Sequence, residues 1–270
     1  MRSLYESYDE YPRIEEAFQA ALDESLSPRG PDLLYDMVAE LRLPFGASVV
    51  DLGCGEGDHA VLLAERFGFA VQGIDPVARN IEVANEALAP AGRGPELCER
   101  VRFELGSAES MPVADASVDL IWCREALYFF DLEKTFAECR RVLRSGGRML
   151  IYSNFATERM EPNEAAAMWA VAETVPANSD PRHVEAAIAG AGFAIKRNIE
   201  LGSEFGEYAA EHTGKPQQQL LHAARLLRAP DRYIAQFGQT NYDIMLGDSF
   251  WHVYRMIGKL SSRIYLLSSP

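Results

Sequence analysis

Apolar residues recur three and four positions apart over residues 12–25 and again over 30–42, so two helices open the chain. They give way to "SVVDLG" (48–53), whose unbroken apolar run suits a strand covered on both faces. "HAVLLAERFG" (59–68) returns to helical spacing and stops at Gly68, and "AVQGID" (70–75) is a second strand. The same reading makes "RNIEVANEALAPAG" (79–92) a helix, with "VRFELGS" (101–107) and "ASVDLIWC" (116–123) as strands. "DLEKTFAECRRVLRSGG" (131–147) is a helix whose acidic start, basic end and following glycines suit its dipole and C-cap. "RMLIYSN" (148–154) is the next strand, "PRHVEAAIAGAG" (181–192) a helix, "FAIKRNIEL" (193–201) a strand and "KLSSRIYLLSS" (259–269) the closing strand.

Strands alternating with helices at this rhythm mean right-handed crossovers and an α/β, doubly wound, mostly parallel sheet. The block 207–257 breaks the rhythm: it is rich in Gln, Tyr and Leu and predicts two or three helices inserted between two strands. The expected organisation is an N-terminal helical cap over 1–44, a core over 45–206, the helical insertion over 207–257 and a return to the core sheet over 258–270. Tyr5, Tyr8 and Tyr11 recur at helical spacing, which predicts a core-facing stripe ahead of a lid.

Charge narrows the partners. With 26 Lys and Arg against 40 Asp and Glu, a net charge of -14 repels phosphate backbones and anionic bilayers, and no basic cluster offsets it. Neither a nucleic acid nor a membrane is expected. Cys54, Cys98, Cys123 and Cys139 show no CxxC pairing and no histidine at zinc spacing, so reduced thiols and no metal are expected. The acidic N-terminus lacks a secretory pattern and "NEAAAMWAVAETV" is too short to span a bilayer, which points to a cytoplasmic protein.

The chemistry concentrates in "VVDLGCGEGDHAVLLAERFG" (49–68). In an open α/β sheet, ligands sit beyond the carboxyl ends of the strands, where the first strand-to-helix turn lies. Gly53, Gly55 and Gly57 are on that turn, but the dinucleotide fingerprint needs a glycine where Asp58 stands, and Asp51 and Glu56 oppose a pyrophosphate. Two carboxylates suit a ligand bearing an ammonium group. His59, on the first helical turn, reads as a packing or capping residue.

"VVDLGCGEG" resembles motif I of the class I SAM-dependent methyltransferases, and further motifs follow in order over roughly residues 45–200. The resemblance implies a seven-stranded, Rossmann-like methyltransferase fold with S-adenosylmethionine as cofactor and S-adenosylhomocysteine as product. It assigns Asp51, Gly53, Cys54 and Gly55 to the cofactor loop and Asp75 to the ribose hydroxyls, with Pro76 also among the cofactor-binding residues. It also places Ala108 and Glu109 beside the adenine, and Cys123 and Arg124 at the end of the fourth strand. Ser145, in "RRVLRSGGRMLI", stands where proline is commoner in the family.

Residues after the fourth strand line the methyl-facing side in this family, which makes Arg124, Glu125 and Tyr128 of "CREALYFF" the candidates there. Tyr128 is expected to orient a substrate through its hydroxyl or ring, while Phe129 and Phe130 are expected to pack the next helix. In the insertion, Tyr242, Trp251 and His252 are the expected acceptor contacts, with His252 the base if the acceptor is a hydroxyl. Oxygen of a small molecule is the first expectation, with nitrogen or carbon behind it and specialised metabolism as the setting. The alternative is a SAM-binding protein of this fold with other chemistry, or a non-catalytic module. The insertion would equally suit a homodimer interface.

Overall fold

The computed structural model describes residues 4–88, 95–171 and 174–270. Helices α1 (Leu4–Asp23) and α2 (Asp32–Glu40) precede β1 (Ser48–Leu52), α3 (Asp58–Phe67), β2 (Ala70–Asp75), α4 (Ala78–Leu88) and α5 (Pro95–Arg100). Next come β3 (Val101–Leu105), β4 (Val118–Arg124), α6 (Leu132–Val142), β5 (Leu143–Ala156), α7 (Pro162–Val171), α8 (Pro181–Gly190) and β6 (Ala194–Gly202). Four helices follow, α9 (Glu204–Thr213), α10 (Lys215–Arg228), α11 (Pro230–Phe237) and α12 (Gln239–Met256), before β7 (Leu260–Ser268).

The seven strands form one sheet in the order β3-β2-β1-β4-β5-β7-β6. The first five are parallel, and β7 runs antiparallel between β5 and β6. Alternation along each strand separates two apolar layers. Val50, Leu52, Ile121, Cys123, Met149, Ile151, Tyr265 and Leu267 meet α6 and α8 on one face. Val49, Leu120, Trp122, Leu150, Tyr152, Ile264 and Leu266 meet α2 and α3 on the other. Asp51 and Arg124 keep step with this second series, so both side chains belong to the face that carries α2 and α3. A smaller cluster of Met160, Met168, Trp169, Tyr254 and Leu260 joins α7 and α12 above the ends of β5 and β7.

The sheet and its order of elements follow the hydrophobic pattern, with four local differences. The helix over 131–147 stops at Val142, because Leu143 is already extended and paired with Val118 in the sheet; the glycines lie within the span of β5 and do not cap the helix. The late block holds four helices where two or three were expected. The end of the expected 79–92 helix lies outside the described residues. Tyr5 and Tyr8 are 85% and 75% exposed, so the core-facing stripe is not formed: α1 turns Leu4, Tyr5, Tyr8, Phe18 and Leu22 to solvent. Of Tyr11 only the backbone, within α1, is described.

Candidate functional site

The turn after β1 is tied to the end of β2. The backbone N–H groups of Gly53 and Cys54 both donate to the Ile74 carbonyl, at 2.8 and 3.1 Å, and Gly55 N–H donates to the Asp75 carboxylate at 2.9 Å. Gly53 has φ +74° and a Cβ there would lie 2.4 Å from Ala126 Cβ, so both conformation and packing demand glycine. Gly55, at φ +52°, differs: a Cβ there would meet nothing within 4 Å, so the loop's backbone borders open space. Cys54 packs beneath the loop with its thiol pushed above the ordinary range by burial, as a small filler rather than a nucleophile.

Two carboxylates flank that space. Asp75 is buried, and besides Gly55 it accepts from Val77 N–H at 2.9 Å and the Asn80 amide at 3.0 Å. An ionised carboxylate has about four acceptor positions, so one remains. Asp51 is 2% exposed and its Oδ2 has no hydrogen-bond partner. Burial pushes its pKa up to about 7, against the opposing pull of the Arg124 guanidinium and the Ala60 N–H. A buried, unsatisfied acceptor beside an open glycine turn is a ready seat for a cationic donor.

Arg124 is fixed in turn by His59. The Arg124 guanidinium donates to His59 Nε2, and His59 Nδ1 lies 2.6 Å from the Tyr35 hydroxyl. Arginine cannot accept, so Nε2 is the acceptor and Nδ1 carries the proton toward Tyr35. Burial and then Arg124 lower the His59 pKa to about 3, and its ring packs by Trp122. It is therefore a neutral packing residue that orients Arg124, as the sequence suggests. Cys123 lies fully buried beneath this end of β4, its thiol pushed up to about 12. The 106–112 turn holds Ala108 buried and Glu109 part-exposed, with Glu109 accepting from Asp131 N–H at 3.1 Å; Pro76 and Glu56 are exposed.

Next to this groove, at the carboxyl end of β4, a cavity of about 430 Å³ is lined by Glu125, Tyr128, Phe129, Trp251, His252 and Arg255 among others. Glu125 takes a left-handed φ of +55°, a strained choice for a side chain of its size, held by its N–H donating to Tyr152 O at 2.9 Å. Its carboxylate accepts from the Asn154 amide at 3.2 Å and faces Arg255 at 3.6 Å. The Tyr128 hydroxyl accepts from Asn154 N–H at 2.7 Å and its amide at 3.1 Å, so the oxygen is occupied and the ring makes the wall, edge-on to Trp251. Phe130 packs in the core as expected, whereas Phe129 is 53% exposed and lines the cavity, a correction that follows from its place on a tight Leu127–Phe129 turn.

His252 faces the cavity with its pKa lowered, first by burial and then by Lys215. Tyr242 is not brought there. It is nine residues before Trp251, about two and a half helical turns, and so emerges on the opposite side of α12, where its hydroxyl donates to Leu226 O at 3.4 Å. Residues that sequence reasoning missed, Asp248 and Arg255, share a face with Trp251 and His252; their spacing of three to four was the available signal. Among the described residues no group of three or more His, Cys, Asp or Glu is arranged to hold a metal, and no helix is long and apolar enough to cross a membrane.

Residues 50–151 match the family model described as a methyltransferase domain. The chain is similar to the methyltransferase GfsG of Streptomyces halstedii, 34% identical over 47% of this chain and 45% of that protein. It is also similar to the 27-O-demethylrifamycin SV methyltransferase of Amycolatopsis mediterranei, 33% identical over 49% of this chain and 47% of that protein. The matched segment spans about half the length of these curated relatives. Among solved structures, the geranyl diphosphate C-methyltransferase of Streptomyces coelicolor superposes with a TM-score of 0.64 at 18% identity, covering 88% of this chain and 75% of that one. Family-model match, strand order and glycine turn agree: residues 50–151 match the methyltransferase-domain family, within a chain that has the seven-stranded Rossmann-like methyltransferase fold.

Proposed function

We propose that this chain is a SAM-dependent methyltransferase that alkylates an oxygen of a small molecule, with His252 taking up the proton. The observation that carries the reading is the buried, partnerless Asp51 oxygen beside the open Gly55 backbone. An amino-acid head group has the two charges this corner is built to meet: Asp51 would accept from its ammonium and Arg124 would face its carboxylate. Asp75 would use its remaining acceptor position for a ribose hydroxyl, and the 106–112 turn with Ala108 and Glu109 would flank a base.

SAM, when bound, supplies a methyl group on a sulfonium that is already an activated leaving group. The chain's contribution is then alignment and exclusion of water, worth about 7 to 11 kcal/mol in well-oriented systems. The aromatic side chains of Tyr128, Phe129 and Trp251 would exclude water from part of this space once an acceptor fills it, while Glu125, Lys215, Asp248 and Arg255 supply its polar side. Neutral His252 can accept a hydroxyl proton at its free ring nitrogen. The preference for oxygen is supported by the O-demethylated compound in the name of the Amycolatopsis relative; carbon remains the rival, as in the name of the Streptomyces coelicolor neighbour. Residues 207–257 serve in this reading as the acceptor cover, and specialised metabolism in the cytoplasm is its setting.

The test is calorimetry with SAM followed by S-adenosylhomocysteine release over a panel of hydroxylated small molecules. We expect micromolar SAM binding and product formation, with His252→Ala lowering turnover at least tenfold while SAM affinity stays within about twofold. Binding without product from any acceptor would favour the non-catalytic alternative, and no binding would overturn the proposal.

A further inference from the structure

A second cavity, of about 340 Å³, lies beyond the first and is lined by Leu246, Phe250, Tyr254 and Val171, with Asn163, Glu164 and Asp243 at its rim. Met168, Val171 and Gly247 border both cavities, so the partition between them is one residue thick where α12 crosses α7. Glycine weakens the interior of a helix relative to alanine, and Gly247 sits midway along the eighteen residues of α12. Neither conformation nor crowding explains it. Its backbone is not left-handed, and a Cβ there would meet only Val171 side-chain atoms at 3.6 and 3.8 Å, an ordinary contact. What a longer side chain would occupy is the partition itself. Val171 stands opposite, and Met168, an unbranched side chain that adapts its shape readily, borders both cavities beside it.

We propose that the two cavities are one acceptor slot, that Gly247 sets its length, and that the acceptor is an elongated apolar molecule. This rests on the methyltransferase reading above. The acceptor's reacting group lies among Glu125, Tyr128 and His252, and its tail passes Gly247 toward Phe250 and Tyr254. Glu164, paired to Lys259, and Asp243, which accepts from the Gln239 amide, also line this second cavity, so the distal end of the acceptor is not an anion.

Trp251 lines the first cavity and reports its filling by fluorescence. The probes are phenol, 4-butylphenol and 4-octylphenol, titrated without SAM. Burial of successive methylenes should raise affinity at least tenfold from phenol to butyl and at least tenfold again to octyl. Gly247→Leu should abolish the gain from butyl to octyl, read as the ratio of the two affinities within the variant, while Gly247→Ala retains most of it. Should the leucine variant not fold, Val171→Phe narrows the same passage from α7 and must remove the same gain. A wild-type protein with no chain-length gain, or an unchanged gain in the blocked variants, overturns the slot. SAM calorimetry on the same samples separates the two claims: a chain-length gain without SAM binding defeats the methyltransferase reading and leaves the slot standing.

Discussion

Asp51 is where sequence and physics meet most directly. The sequence shows a carboxylate at the end of an apolar strand; its burial and missing partner come only from the third dimension. Its raised pKa has two consequences of opposite use. In the free protein, the folded state holds a proton between about pH 4 and 7 that the unfolded chain has lost, so this residue makes stability fall as pH rises through that window and level off above it. Thermal melts of wild type against Asp51→Asn should show the difference shrinking toward acid. A ligand ammonium needs the ionised form, so SAM affinity should fall by up to tenfold per unit as pH drops below about 7. Calorimetry in buffers of different ionisation enthalpy should detect proton release on binding near neutrality, absent in Asp51→Asn. At Asp75, which braces Gly55 as well as facing the groove, Asp75→Ala should weaken SAM binding at least tenfold; an unaltered dissociation constant would remove it from the site.

At the scale of elements, the end of β4 and α12 jointly line the cavity proposed to take the acceptor. The end of β4 is readable because its residues fall in a recognisable order; Tyr128, singled out there by the sequence, lines the cavity with its ring, and its hydroxyl is committed to Asn154. Tyr128→Phe should therefore cost stability, by roughly 1 kcal/mol for each neutral hydrogen bond lost and more if Asn154 is stranded, as measured by denaturant midpoint. On α12, residue type alone drew Tyr242 and Trp251 together, and only the helical phase separates them. Because burial and Lys215 depress the His252 pKa, the acid limb of the turnover profile should lie below pH 6.5, the ordinary histidine value. A limb above that value would assign the proton acceptor elsewhere.

Over the whole molecule, the layer pattern was legible because strands buried on both faces and helices buried on one have distinct periods, as β1, α3 and β4 show. What stayed hidden was relational: that α1 leaves Tyr5 and Tyr8 in solvent, and that α7 meets α12 at a glycine. Amphipathicity signals that a helix has an apolar side; it carries no information on what covers that side. The placement of β7 bears on how the chain reaches this state. It fills the position between β5 and β6 and pairs with both, yet 103 residues separate Ala156 of β5 from its partner Leu260. Closing so long a loop is slow, since its entropy is spent before the contacts form. Until β7 arrives, β5 presents an unpaired edge with an apolar run over Met149–Tyr152, the kind of template that recruits other chains. Misassembly during refolding should therefore start at β5, and a disulfide that holds β7 early should raise both the yield of native protein and, by removing loop-closure entropy from the unfolded chain, its denaturant midpoint.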